Sequence, residues 1–215
     1  MQKVRRGGRP SREASEQLGE SILDAATELF LAQGFGATSI EAVAQRVRVS
    51  KRTFYHRFED KPALFAAVVH RIIERLRPPA GIALIEGLDV GAVLERLATI
   101  ILRAALSPQA ISLHRLIVAE SSRFPELAAV LAREGAAQEA TRLIAGVIER
   151  ANQAGSLECD DPAFAAQQFL QMVIAVPQRR AMGLGAPMSA RDVDEWPRKV
   201  VDLFLNGCIG DARTR

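Results

Sequence analysis

The densest chemistry in this chain lies in one ten-residue stretch, Val49-Ser50-Lys51-Arg52-Thr53-Phe54-Tyr55-His56-Arg57-Phe58. If the stretch is helical, Phe54 and Phe58 stand four apart on one face and pack inward, while Arg52 and His56 share the opposite face with Thr53 and Tyr55 beside them. The outward face is then basic, polar and aromatic. Arginine and lysine can bond guanine edges and threonine can meet a thymine methyl, so such a face suits the major groove of duplex DNA. On charge alone a solvated helix face is an equal reading, and the flanking elements decide between the two.

Those elements can be read from caps and spacing. Ser50 is a good N-cap for a helix over Lys51–Phe58. Upstream, Thr38 and Glu41 stand three apart in a capping-box pattern, which predicts a short helix over 39–46 with Ile40, Val43 and Ala44 turned inward. Val47, Arg48 and Val49 form the tight turn between them, and two short helices so joined are helix-turn-helix grammar. Ile22, Leu23, Ala26, Leu29 and Phe30 recur at helical spacing before Gly34, a stop signal. Asp60 can cap a fourth helix with Lys61 and Pro62 in its first turn, an apolar stripe through Leu64, Phe65, Val68, Ile72 and Leu76, and an end at Pro78, Pro79 and Gly81.

Five more helices are expected, over about 90–106, 109–123, 125–154 with a break near Gly135, 162–178, and 190–206. Asp161 followed by Pro162 reads as an N-cap with proline at the first helical position, and Pro177 is expected to kink or end that helix. The fold class is therefore all-α. The division expected is a disordered basic arm over 1–15, a helix-turn-helix domain over 16–77, and a larger helical domain over 78–215.

Composition narrows the function classes. The net charge of the 215 residues is only +3, yet Lys3, Arg5, Arg6, Arg9 and Arg12 precede any acid, and Arg46, Arg48, Lys51, Arg52 and Arg57 lie between Glu41 and Glu59 without one. Two positive patches on a nearly neutral chain point to a polyanion partner. No apolar run approaches the roughly 18 residues of a membrane span, so no membrane association is expected and the chain is placed in the cytoplasm. Cys159 and Cys208, an isolated pair, read as two unpaired thiols.

The run Thr38-Ser39-Ile40-Glu41-Ala42-Val43-Ala44, then Val49-Ser50, then Thr53-Phe54-Tyr55-His56-Arg57-Phe58-Glu59-Asp60-Lys61 resembles the DNA-binding domain of the TetR family. The likeness covers residues 20–76 without a gap. It implies base contacts from Lys51, Arg52 and Thr53, with Tyr55 at the groove edge, and phosphate contacts from Thr38, Tyr55, His56 and Lys61. Helix starts at Thr38 and Lys61 would suit phosphate, because a helix N-terminus presents N–H groups and a positive dipole end. Ser50 and Arg48 complete the candidate set. Arg48 is a departure: the family usually carries Gly there, at a position that favours the left-handed conformation, so a side chain costs about 1 kcal/mol or the turn differs. The arm motif Arg6-Gly7-Gly8-Arg9-Pro10 is similar to basic extensions that can enter the minor groove.

The second half resembles the AefR/AcrR-like branch through His114-Arg115-Leu116-Ile117-Val118-Ala119-Glu120-Ser121-Ser122-Arg123-Phe124-Pro125-Glu126-Leu127 and through Gly155-Ser156-Leu157 leading to Asp161-Pro162. That likeness implies a repressor that leaves a palindromic operator when a small apolar or amphipathic effector binds. His114, Leu116, Ile117, Arg123, Gln168, Gln171 and Met172 are the candidate ligand residues, with plain core packing as the alternative for each. Two apolar stripes, one with Phe169, Val173 and Val176 and one with Val200, Val201 and Phe204, are the candidate homodimer interface, with burial inside one protomer as the alternative.

Other outcomes stay open: a ligand-independent regulator, an activator, or a helical enzyme. Against the last, the sequence has no Gly-x-Ser-x-Gly, no His-Glu-x-x-His and no phosphate-cradling glycine loop. No catalytic residue, metal ligand or cofactor is expected. His70 with Glu74 reads as a surface pair and His114 as a partly buried group.

Overall fold

The computed structural model describes residues 12–76, 89–134 and 136–207. The expected minor-groove arm, the Pro78-Pro79 and Gly81 stop, the break at Gly135 and Cys208 lie outside the described residues. Ten helices and no strand occur among the residues described: α1 (Arg12–Ala37), α2 (Ile40–Arg46), α3 (Lys51–Tyr55), α4 (Lys61–Leu76), α5 (Val90–Ala105), α6 (Pro108–Glu120), α7 (Pro125–Glu134), α8 (Ala136–Gln153), α9 (Pro162–Ala181) and α10 (Ala190–Asn206).

The chain packs as two compact units. The first comprises the described residues up to Arg71 together with Leu116–Val130; the second comprises Ile72–Arg115 and Leu131 onward. The expected boundary at residue 77 therefore differs from the packing, because the α6–α7 corner joins the first unit. Phe124 from that corner meets Phe35 edge to face at 5.0 Å between ring centres. Phe35 in turn packs with Phe30 and Phe65, and all three are buried with Ile22, Val43, Phe54 and Leu64.

Helix α1 begins earlier than expected, so residues 12–15 are a helical turn rather than part of an arm. The reason is local and tertiary together: Arg12 pairs with Glu16 at 3.0 Å, and the Arg57 guanidinium donates to the Ser15 carbonyl and hydroxyl. Further along, Arg71 of α4 is almost fully buried and clamps α1, donating to the Glu20 carbonyl, the Thr27 hydroxyl and the Asp24 carboxylate at 2.9–3.2 Å. Such a charge is tolerated in the interior only because partners meet it.

In the second unit α5, α8, α9 and α10 surround one apolar core that includes Leu94, Leu97, Leu102, Ile144, Val147, Ile148, Phe169, Leu170, Val173, Val200 and Val201. Helix α9 does not end at Pro177 but runs on through it to Ala181. Proline lacks the N–H that would bond the carbonyl four residues back, here Val173. The Trp196 indole N–H of α10 donates to that carbonyl at 3.0 Å, so the acceptor left over by Pro177 is satisfied from outside the helix.

Candidate nucleic-acid interface

Helix α3 is held from below and open above. Its N-cap is Ser50, whose hydroxyl accepts from the Thr53 N–H at 3.1 Å, and its anchor is Phe54, which is fully buried and lies against the Phe58 ring at 5.5 Å. With Phe54 inward, helical geometry turns Arg52 and His56 to the opposite side, and Lys51 and Tyr55 stand at the two ends of α3. All four are exposed, and Thr53 is half-buried. The open side of α3 is thus basic, polar and aromatic.

Helix α2 begins one residue later than the spacing implied. Ser39, not Thr38, is the N-cap, accepting from the Ala42 N–H at 3.0 Å. Thr38 is 1 % exposed, and its hydroxyl donates to the Gly34 carbonyl at 2.8 Å. The expected phosphate contact from its side chain is corrected accordingly: the hydroxyl ties α2 to the end of α1. Lys61 is likewise turned toward protein. Its ammonium donates to the carbonyls of Phe35 at 2.9 Å, Gly36 at 3.4 Å and Thr38 at 3.1 Å, and sits 4.4 Å above the Phe35 ring. Three donors directed at three carbonyls leave none for a phosphate in this arrangement.

The charges around α3 are not equivalent. Lys51 meets the Glu41 carboxylate at 2.6 Å; this hydrogen bond, with the opposite charge behind it, holds Glu41 below the usual carboxylate range and raises Lys51 above the usual ammonium value. Arg46 is paired with Glu28 at 2.6 Å. Arg48, Arg52 and His56 have no ion-pair partner among the described residues. Arg48 adopts φ +57°, the left-handed conformation that its place in the turn anticipates, and it is the sole non-glycine residue with positive φ among those described. The Val49 N–H closes the turn on the Ala44 carbonyl at 2.9 Å.

The other sequence-derived sites are placed differently. Phe169, Val173, Val200 and Val201, expected at a dimer interface, are buried inside their own unit, so they are core. Phe204 is half-buried with its ring 4.9 Å from Phe169, and Val176 is half-buried as well. The reason is that α9 packs its apolar stripe on α8 and α5, while α10 packs its own on α5 and α9. The exposed apolar side chains on these helices are Phe164 and Leu203. Of the candidate ligand residues, Leu116, Ile117 and Arg123 belong to the first unit, and His114, Gln168, Gln171 and Met172 to the second. Leu116 and Ile117 are buried, Gln168, Gln171 and Arg123 are exposed, and Met172 packs against the second core. Cys159 is a free, half-buried thiol.

A capped two-helix motif with an open basic face is matched by family comparison. Residues 22–68 match the model of bacterial regulatory proteins of the tetR family, and residues 92–207 match the C-terminal domain of AefR-like transcriptional repressors. The chain belongs to the TetR family. It is a DNA-binding transcriptional regulator. Among relatives, it is 29 % identical to the HTH-type transcriptional regulator UidR of Escherichia coli over 143 residues, 65 % of this chain and 68 % of that one. Among solved structures, the flavonoid-responsive regulator FrrA superposes with a TM-score of 0.75 at 33 % identity, covering 92 % of this chain and all of that one. A TetR-family regulator from Mesorhizobium loti gives a TM-score of 0.72 at 27 % identity, over 89 % and 96 % of the two chains. The family binds DNA operators and typically dimerises. No helix among the described residues of this TetR-family chain is long and apolar enough to cross a membrane.

Proposed function

We propose that this TetR-family chain is a cytoplasmic, homodimeric repressor that holds a palindromic operator through α3 and releases it when a small apolar or amphipathic molecule binds. The observation that carries the DNA-reading part is the exposed face of α3, with Arg52 and His56 on the side opposite the buried Phe54. Arg52, Lys51 and Thr53 read base edges; Arg48, Tyr55 and His56 meet phosphates; Ser50 fixes the start of the reading helix. Thr38 and Lys61 act indirectly by holding the turn before α2. Two-fold symmetry of a dimer calls for a near-palindromic site, and the exposed Phe164 and Leu203 on α9 and α10 are the side chains we assign to the protomer contact.

Support for an effector is the match of residues 92–207 to AefR-like repressors and the likeness to a regulator named for its response to flavonoids. A planar polyphenol is therefore the first class to try. In the mechanism, one state of the dimer spaces its two α3 helices for successive major grooves and the other does not; a ligand that prefers the second shifts the population toward release.

The test is titration of the region upstream of the chain's own gene against a scrambled duplex at several salt concentrations. Arg52→Ala should weaken the specific site by about 10-fold or more and scrambled DNA hardly at all. Equal losses on both duplexes, or binding indifferent to salt, would remove the base-reading role. An effector should raise the melting temperature and lower operator affinity together.

A further inference from the structure

The turn that precedes α2 is held from two sides by charged groups distant in sequence. Lys61 of α4 takes the carbonyls of Phe35, Gly36 and Thr38. From the other side, the last residue of α6, Glu120, accepts the Gly36 N–H through Oε2 at 2.7 Å. Gly34 has φ +90°, a conformation that favours glycine, and a β-carbon there would displace the Glu120 carboxylate from its place. A β-carbon on Gly36 would press against the Phe124 ring at 3.2 Å. Phe124 covers the same turn through its edge-to-face contact with Phe35.

Glu120 is poorly placed for its own helix. A carboxylate at a helix C-terminus faces the negative end of the dipole, where a cation would be favoured. Its position is explained by what it holds. Gly36 lies in the last residues of α1, just past the non-helical Gly34, and a charged acceptor makes the stronger kind of hydrogen bond with its N–H. Because Thr38 and the N-cap Ser39 come two and three residues later, fixing Gly36 fixes where α2 starts. Through the Val49-to-Ala44 bond that closes the next turn, it also sets how α3 is presented.

We infer that Glu120 is a positioning residue for operator recognition: its carboxylate, by holding the Gly36 N–H, sets the α2–α3 pair in the geometry that reads DNA. The residue lies in the segment matching the C-terminal family model, yet its bond is made to the helix-turn-helix unit. The inference rests on the operator-binding role proposed above.

Full-length wild type, Glu120→Ala and Glu120→Gln are compared by fluorescence anisotropy on the upstream operator region and on a scrambled duplex, with hydrogen-exchange mass spectrometry and thermal melts on the same samples. Glu120→Ala should lose specific affinity by about 10-fold while scrambled DNA changes by less than about twofold. Exchange should quicken in peptides over 34–39 and stay unchanged over 40–58, with the melting temperature held. Glu120→Gln keeps an oxygen acceptor and should bind close to wild type. The inference is overturned by alanine binding like wild type, by equal losses in the two variants, or by exchange and melting changes that spread through the whole unit. A wild-type chain that does not distinguish the two duplexes overturns the operator reading itself, separately from the role of Glu120.

Discussion

The indole N–H of Trp196 donates to the carbonyl of Val173 at 3.0 Å, the acceptor that Pro177 leaves without a partner in α9. A second contact from the same N–H reaches the Met172 carbonyl at 3.2 Å. Trp196→Phe removes the donor while keeping an aromatic ring, and should destabilise the protein by about 2 kcal/mol because a buried carbonyl loses its bond. Pro177→Ala restores an N–H within the helix, so the double variant should recover part of that loss. Urea denaturation of the four chains gives the coupling directly, and strictly additive losses would mean that the two residues act independently.

Lys51 enters DNA binding already paired with Glu41. One of the three N–H donors of Lys51 is already engaged by Glu41 at 2.6 Å, and the Glu41 carboxylate sets a negative charge beside the proposed DNA-facing side of α3. Glu41→Gln should therefore tighten binding to operator and scrambled duplex alike, by about threefold at low salt and less as salt rises. Anisotropy titrations at two ionic strengths check this, with unchanged affinity at low salt as the contrary result.

Arg48 stands in the left-handed conformation at φ +57°, a place where glycine is easier. Arg48→Gly should raise stability by about 1 kcal/mol, since the Cβ strain is removed at an exposed turn. The same change takes away one proposed phosphate contact, so affinity should fall on all sequences and the salt slope should shrink by about one. Stability and affinity moving in the same direction would contradict this account of the turn.

Helix α10 opens on a capping box in which Ser189 and Asp192 bond reciprocally. The Ser189 hydroxyl, then its backbone N–H, holds the Asp192 carboxyl below the usual carboxylate range, and bonds from Arg191 and Lys199 do the same for Glu195. A depressed folded-state value means that stability from these groups is present above the ordinary carboxylate pKa and is lost as pH falls through the lower, folded one. Asp192→Asn should flatten that acid limb of the stability curve, and Ser189→Ala should destabilise by about 1 kcal/mol at neutral pH. Chemical denaturation from pH 7 down to pH 3 reads both effects.

The features readable from the chain were those whose partners lie within a few residues. Caps at Ser50 and Asp161, the α2–turn–α3 motif and the inward Phe54 all arise from contacts spanning about one helical turn, where spacing dictates geometry; the left-handed place of Arg48 is what the family resemblance implies. Even there, the choice between Thr38 and Ser39 as cap depended on Gly34, whose carbonyl draws the Thr38 hydroxyl away.

What the spacing could not show were pairings across long separations. Lys61 looked like a free cation because the carbonyls of residues 35–38 are not visible as acceptors in a sequence. Phe169 and Val173 form the same stripe whether they face a partner chain or α5 and α10. Helix α9 passes Pro177 because Trp196 supplies a donor from the next helix, and Glu120 finds the Gly36 N–H across 84 positions. An apolar pattern states that a face must be buried and a charged residue states that it must be met; which group does the burying or the meeting follows from how the helices pack in three dimensions.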